Sequence, residues 1–294
     1  MCCHRWWIVL VILLSLPIAA SAQVELRWKL KPQGTFTLET ISKLNQLVQT
    51  ATQAHKQDVI YKTRTRYTVV KVTPEESILV LKVEGFEATL PDGRTMPTAV
   101  RQELRDAEFR LKLDSRQRVV GVEGIDDFLN KVTGEDPNLQ KALNLMLSKE
   151  GLLKVVQQAF AYLPDQPVKE GDRWERLLIL PLGPLGAFQV KNTYTLEKPE
   201  RMANRLCHRI GLTCTVSFDP PKNTNLPFAI IGGEFRTTAG QGTIWFDAAA
   251  GEIVRSVLQL HLQGKLTVET QGKTSTIELR QEQSIEVRRV IMEE

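Results

Sequence analysis

Along most of this chain apolar and polar residues alternate with period two, the signature of strands that bury one face and wet the other. The clearest stretch runs from Val254 to Val268. There Val254, Ser256, Leu258, Leu260, Leu262, Gly264, Leu266 and Val268 share one face, and Arg255, Gln259, His261, Gln263, Lys265 and Thr267 share the other with Val257. Near the C-terminus Ile277, Leu279, Ile285 and Val287 alternate in the same way with Glu278, Arg280, Glu286 and Arg288. The pattern predicts further strands at 24–30, 35–51, 57–72, 77–89, 107–114, 118–123, 173–180, 187–197, 205–218, 234–247 and 252–269. Pro32-Gln33-Gly34, Thr73-Pro74, Pro91-Asp92-Gly93 and Gln271-Gly272 supply the turns between them. Gly232-Gly233 and Gly240-Gln241-Gly242 read as bulges or turns. Many of these strands exceed the usual five or six residues.

One stretch changes period. Between Gly124 and Tyr162 the apolar spacing becomes helical, with a short turn over Ile125–Val132 and an Asp136-Pro137 start signal. Leu139, Ala142, Leu143 and Met146 then form one stripe, and Leu152, Val155, Val156, Ala159 and Phe160 another. Short amphipathic helices need a surface to cover. The expected fold is mainly β with a helical insert: a long-stranded antiparallel curled sheet, half-barrel-like, in two halves at 23–123 and 163–294, covered by helices at 124–162. A closed outer-membrane barrel leaves no place for such an insert.

The first residues carry a different signal. Arg5 precedes an apolar run from Ile8 to Ala20, and Ala20-Ser21-Ala22 offers small residues before Gln23. That is a secretory signal peptide over residues 1–22, cleaved between Ala22 and Gln23. The run is shorter than a membrane span of about 20 residues, and no later segment approaches one. Cys2 and Cys3 lie at the wrong end of the run for a lipid anchor. Removing 22 of the 294 residues leaves 272 and takes only Arg5 from the 38 basic side chains, leaving 37 against 34 acids. Interspersed charges of this balance give no concentrated basic face, so nucleic acid is not an expected partner.

Cys207 and Cys214 remain. Along a continuous strand seven residues span about 23 Å, whereas a disulfide needs Cα atoms within about 7 Å. The favoured reading is two buried or unpaired thiols, with a tight turn at Gly211 as the way to a bridge. His55, His208 and His261 share no ligand spacing, so no metal or cofactor is expected. Glu75-Glu76 and Asp126-Asp127 fall in a turn and at a helix start, where acids serve structure. The chain holds no G-x-S-x-G, P-loop, dinucleotide fingerprint or H-E-x-x-H. Lys62, Arg64 and Arg66 alternate on one strand face, opposite Tyr61 and Tyr67. They are the candidate face for an anionic ligand, with a solvated, edge-protecting face as the alternative.

The most distinctive segment is Leu163-Pro164-Asp165-Gln166-Pro167-Val168-Lys169-Glu170-Gly171-Asp172-Arg173-Trp174. It resembles the LPxxPVxxGDxW motif of a family of exported bacterial proteins of unknown function. Val24-Glu25-Leu26-Arg27-Trp28-Lys29 and Gly242-Thr243-Ile244-Trp245-Phe246-Asp247 are similar to that family as well. The resemblance implies structure and no activity. At a coarser level the plan resembles the periplasmic lipoprotein carriers of the LolA type, an incompletely closed barrel covered by helices that holds acyl chains; here the helices cluster mid-sequence.

These features lead to an expected function. The chain reads as a non-enzymatic exported envelope protein, periplasmic or extracellular, binding a lipid or an acylated protein in a concave sheet. The alternative is an envelope scaffold that binds another protein or a wall polymer. A hydrolase has no motif to support it.

Overall fold

The computed structural model describes residues 23–89, 102–105, 107–133, 153–154, 156–157, 159–181, 185–202, 204–221 and 228–290. The signal-peptide reading of residues 1–22 and the helices expected around 136–152 lie outside the described residues.

The alternating pattern folds into one antiparallel sheet. Its strands are β1 (Thr35–Gln49), β2 (Ala54–Val72), β3 (Glu76–Thr89), β4 (Glu108–Asp114), β5 (Val119–Glu123), β6 (Arg173–Pro181), β7 (Ala187–Leu196), β8 (Glu200–Met202), β9 (Arg205–Asp219), β10 (Ala229–Asp247), β11 (Glu252–Thr270) and β12 (Lys273–Val290). They form a 12-stranded sheet in the order β5-β4-β3-β2-β1-β12-β11-β10-β9-β7-β6, with β8 beside β9. Among the described residues β5 and β6 are its free edges, so the sheet curls without closing. The pairing of β1 with β12, from Thr37↔Val290 to Gln49↔Glu278, joins the strands before the helical insert to those after it.

Register shows which side chains share a face. Across β2, β1, β12 and β11 the inner face carries Tyr67, Phe36, Leu38, Leu258, Leu260 and Leu262, and the outer face carries Arg66, Glu39, Arg288 and Arg255. The outer face is laced with cross-strand ion pairs: Lys265–Glu278 at 3.0 Å, Arg255–Glu286 at 3.0 Å, and Arg288 with Glu39. Exposed pairs of this kind are each worth about 0.2–1 kcal/mol, so they favour one register more than they add stability. Glu76 lies between Lys112 and Lys71, whose hydrogen bonds hold its carboxyl down to about 2. The β11–β12 hairpin turns on Gln271 (φ 52°) and Gly272 (φ 74°), two left-handed residues that match the right-handed strand twist.

The inner face holds two apolar clusters. One is centred on Trp28, whose ring lies 5.7 Å from Phe36, 5.4 Å from Phe160, 6.2 Å from Tyr162 and 6.0 Å from Phe246. The helix α1 (Ile125–Thr133) adds Ile125 and Leu129 to it, and Leu153, Val156 and Phe160 pack there too. The second comprises Val190, Cys214, Val216 and Leu262. Beside it the rings of Phe188, Phe218 and Phe235 meet with centroids 5.1–5.7 Å apart. On β1 and β12 the same face turns polar: Gln46 donates to Gln281 at 3.1 Å, and Gln283 to Ser42 at 3.3 Å.

Two expectations are corrected. Residues 24–30 make no ladder in the sheet; apart from a single bridge, Val24↔Val168, the segment is an irregular strap. Its alternation is real, since Leu26 and Trp28 are buried, but it docks by side chains and a few backbone bonds such as Lys29 N–H to the Gly251 carbonyl. Gly240-Gln241-Gly242 is not a turn: β10 runs straight through it, with its register shifts at Ile230/Gly232, Thr237/Ala239 and Trp245/Phe246.

Candidate functional site

The motif around residues 163–174 builds the ground on which the site stands. Trp174 and Arg176 point to the inner face of β6, opposite Tyr194 and Asn192 of β7. The Trp174 indole donates to the Tyr162 carbonyl at 2.9 Å. The Arg176 guanidinium donates to the carbonyls of Ala161 (3.0 Å) and Leu163 (2.6 Å) and meets Asp165 at 3.2 Å. Gly171 takes φ 89°, and the Asp172 carboxylate accepts from the Lys169 N–H at 2.9 Å. The glycine, aspartate and tryptophan of the motif, with Arg176, therefore fasten the incoming segment to the sheet edge.

Beside this clamp lies a cavity of about 450 Å³, within the range of about 300–1,000 Å³ typical of small-molecule sites. Four stretches far apart in the chain enclose it: the strap Glu25–Trp28, the β4–β5 turn at Arg116–Arg118, parts of 154–167, and β6 and β7 through Arg176–Ile179, Asn192 and Tyr194. Its apolar walls are Leu26, Trp28, Val119, Phe160, Leu163 and Leu178. The lining also bears Arg27, Arg116, Arg118, Lys154 and Arg176 against Glu25 and Asp165, an excess of three positive charges. The buried indole N–H of Trp28 and hydroxyl of Tyr162 have no hydrogen-bond partner among the described residues, which is uncommon inside a protein.

The tyrosines beneath this region are strongly desolvated. Burial pushes the hydroxyls of Tyr67 and Tyr194 up to about 12 and that of Tyr162 well above the ordinary value of 10.0. In the unfolded chain they ionise near 10, so the folded state holds more protons above that pH. Their stabilising effect is complete below pH 10 and is lost as pH rises towards 12. Tyrosinate absorbance in an alkaline titration is expected to rise together with loss of far-ultraviolet β signal in that window; ionisation near pH 10 with the fold intact would contradict their burial.

The residues singled out from sequence lie elsewhere. Lys62, Arg64 and Arg66 occupy the outer face of β2, on the other side of the sheet from the cavity. Glu84 of β3 takes both arginines, Arg66 at 2.7 Å and Arg64 at 3.5 Å, while Lys62 is exposed. Cys207 and Cys214 are free and buried on continuous strand β9, with burial pushing both thiols up. An odd spacing of seven also puts them on opposite faces of the strand. His55, His208 and His261 sit on β2, β9 and β11; burial lowers the His208 value. Among the described residues no group of three or more His, Cys, Asp or Glu could hold a metal ion, and no helix is long and apolar enough to cross a membrane. The cavity itself escaped sequence reading, because Arg116 looks like any turn residue until the strap and β6 are placed beside it.

The chain is thus mainly β, a curled antiparallel sheet that does not close, with a cavity beside one edge. Residues 82–204 match the model of a family of unknown function (DUF6263), a span that includes the 163–174 segment. No curated protein matches the chain. Among solved structures, lipovitellin, in a study of its lipid–protein interactions, is similar at 12% identity and TM-score 0.39, covering 86% of this chain and 25% of that one. This chain thus spans about a quarter of the lipovitellin chain. The hypothetical lipoprotein YmcC from Escherichia coli is similar at 14% identity and TM-score 0.24, covering 81% of this chain and 85% of that one. An outer membrane lipoprotein-sorting protein domain from Vibrio parahaemolyticus is similar at 8% identity and TM-score 0.16, covering 83% of each chain.

Proposed function

We propose that this chain is an exported, non-catalytic envelope protein that holds the apolar chain of a lipid in the cavity between the strap and β6. The supporting observation is the cavity of about 450 Å³, walled by Leu26, Trp28, Phe160, Leu163 and Leu178 yet open at a charged rim. Apolar surface that the fold leaves uncovered is stabilised by an apolar guest at about 25 cal/mol per Å² removed from water. The signal-peptide pattern of residues 1–22 supports export.

The test is native mass spectrometry of protein purified from the periplasm, before and after solvent extraction, followed by uptake of a fluorescent fatty acid. A mass excess that extraction removes, with uptake by the extracted protein, is the expected result. Leu178→Trp, which thrusts a larger ring into the cavity, should then reduce uptake at least fivefold with the β spectrum unchanged. A clean mass and no uptake would sink this reading. They would favour a scaffold that pairs through edge strand β6, whose Leu177 and Ile179 are 64% and 47% exposed.

A further inference from the structure

The cations around the cavity are not equivalent. Arg118 is committed to Asp114, with Nε at 2.8 Å from its carboxylate. Arg176 is committed to the Ala161 and Leu163 carbonyls and to Asp165. Arg27 reaches the Ser115 carbonyl at 3.2 Å and Glu25 at 3.3 Å, in the open. Arg116 and Lys154 remain. Asp114 accepts the backbone N–H of Arg116, at 2.9 Å, and leaves its guanidinium unmatched. Neither side chain has an ion-pair partner among the described residues. Both cavity carboxylates, in contrast, are already paired, Glu25 with Arg27 and Asp165 with Arg176.

Resting on the reading of this cavity as an apolar-chain site, we propose that its ligand is a single-chain anionic amphiphile whose carboxylate or phosphate head sits at the rim between Arg116 and Lys154. An apolar wall beside unmatched cations raises the local potential and strengthens attraction to an anion over that in open water. A neutral head gains nothing from these side chains, and a cationic head is opposed by them. The walls take the chain, and the head stays where water and the cations meet it, as an amphipathic guest requires.

The test uses extracted full-length mature protein and displacement of Nile red, a neutral probe, by four competitors with the same chain length: palmitate, palmitoyl lysophosphatidate, hexadecanol and hexadecyltrimethylammonium. At low salt at least one of the two anions is expected to displace the probe at roughly tenfold lower concentration than hexadecanol, about 1.4 kcal/mol. Raised salt should narrow that gap. The double variant Arg116→Glu/Lys154→Glu, both positions lying at the rim, should bring the anions to the hexadecanol level while Nile red and hexadecanol bind as before. Preference for palmitate over lysophosphatidate marks a free carboxylate ligand, and the reverse marks a phosphate head. If hexadecanol competes as well as the anions, or the double variant changes nothing, the head-group proposal is overturned and the apolar cavity stands. If the protein binds no Nile red and none of the four, the cavity reading falls and the proposal with it.

Discussion

Trp28→Ala is expected to cost about 3–5 kcal/mol of folding free energy, the range for emptying a large aromatic from a core. The residue is 3% exposed and touches the rings of Phe36 on β1, Phe246 on β10, and Phe160 and Tyr162 at the end of the helical insert. Those contacts come from both sides of the β1–β12 junction, so the loss loosens three parts of the molecule from one another. Its indole N–H is buried without a partner among the described residues. Trp28→Phe therefore removes an unsatisfied donor along with some volume and is expected to cost less than half as much. Guanidinium unfolding of the two variants against the parent measures both. An alanine variant within about 1 kcal/mol of the parent would mean that the strap is decoration.

Gly240→Ala is the second large effect, at about 3 kcal/mol, the upper end of what overpacking costs. A Cβ there would run into the carbonyl of Cys214 on β9 and the methyl of Thr237. The approach is close because β10 bulges at Thr237/Ala239, where the Thr237 hydroxyl accepts the Val216 N–H at 2.8 Å. Neither neighbour can retreat without giving up the β9–β10 pairing. Gly85→Ala is the control: its Cβ would meet only the Arg64 Cβ at 3.6 Å, an ordinary contact. It should be neutral or stabilise by up to about 1 kcal/mol through the unfolded chain. Equal effects at the two positions would refute the steric account.

Much of the sheet could be read from alternation, because long strands with one wet face repeat the same instruction many times. The face from Ser256 to Val268 appears on β11 as read, and its partners on β12 fall into register with it. Reading failed where a second strand decides the outcome. The start of β10 at Ala229 is hidden by Ile231-Gly232-Gly233, whose bulge breaks the period. The strap at 24–30 shows strand-like burial with almost no ladder, since side chains report burial and not hydrogen-bond partners. The Lys62-Arg64-Arg66 strip was visible, but Glu84 takes both arginines only through the β2–β3 register, whose shift at Arg64/Thr65 leaves no mark in either strand's own pattern. For the same reason the cavity was illegible: Glu25–Trp28, Arg116, Lys154 and Leu178 carry chemistry only together.

The junction of β1 and β12 bears on when such a chain can finish folding. Glu39 and Arg288, which bond across it, are 249 residues apart in sequence. Loop closure over that distance is entropically slow, and few local contacts reward it early. Until β12 arrives, β1 and β11 both keep an open edge, and the sheet remains two unfinished meanders. A protein delivered through a narrow export channel must stay unfolded until it has passed. Under the export proposed above, a topology whose central strand pair needs the last stretch of chain would leave completion of the sheet to the far side of the membrane.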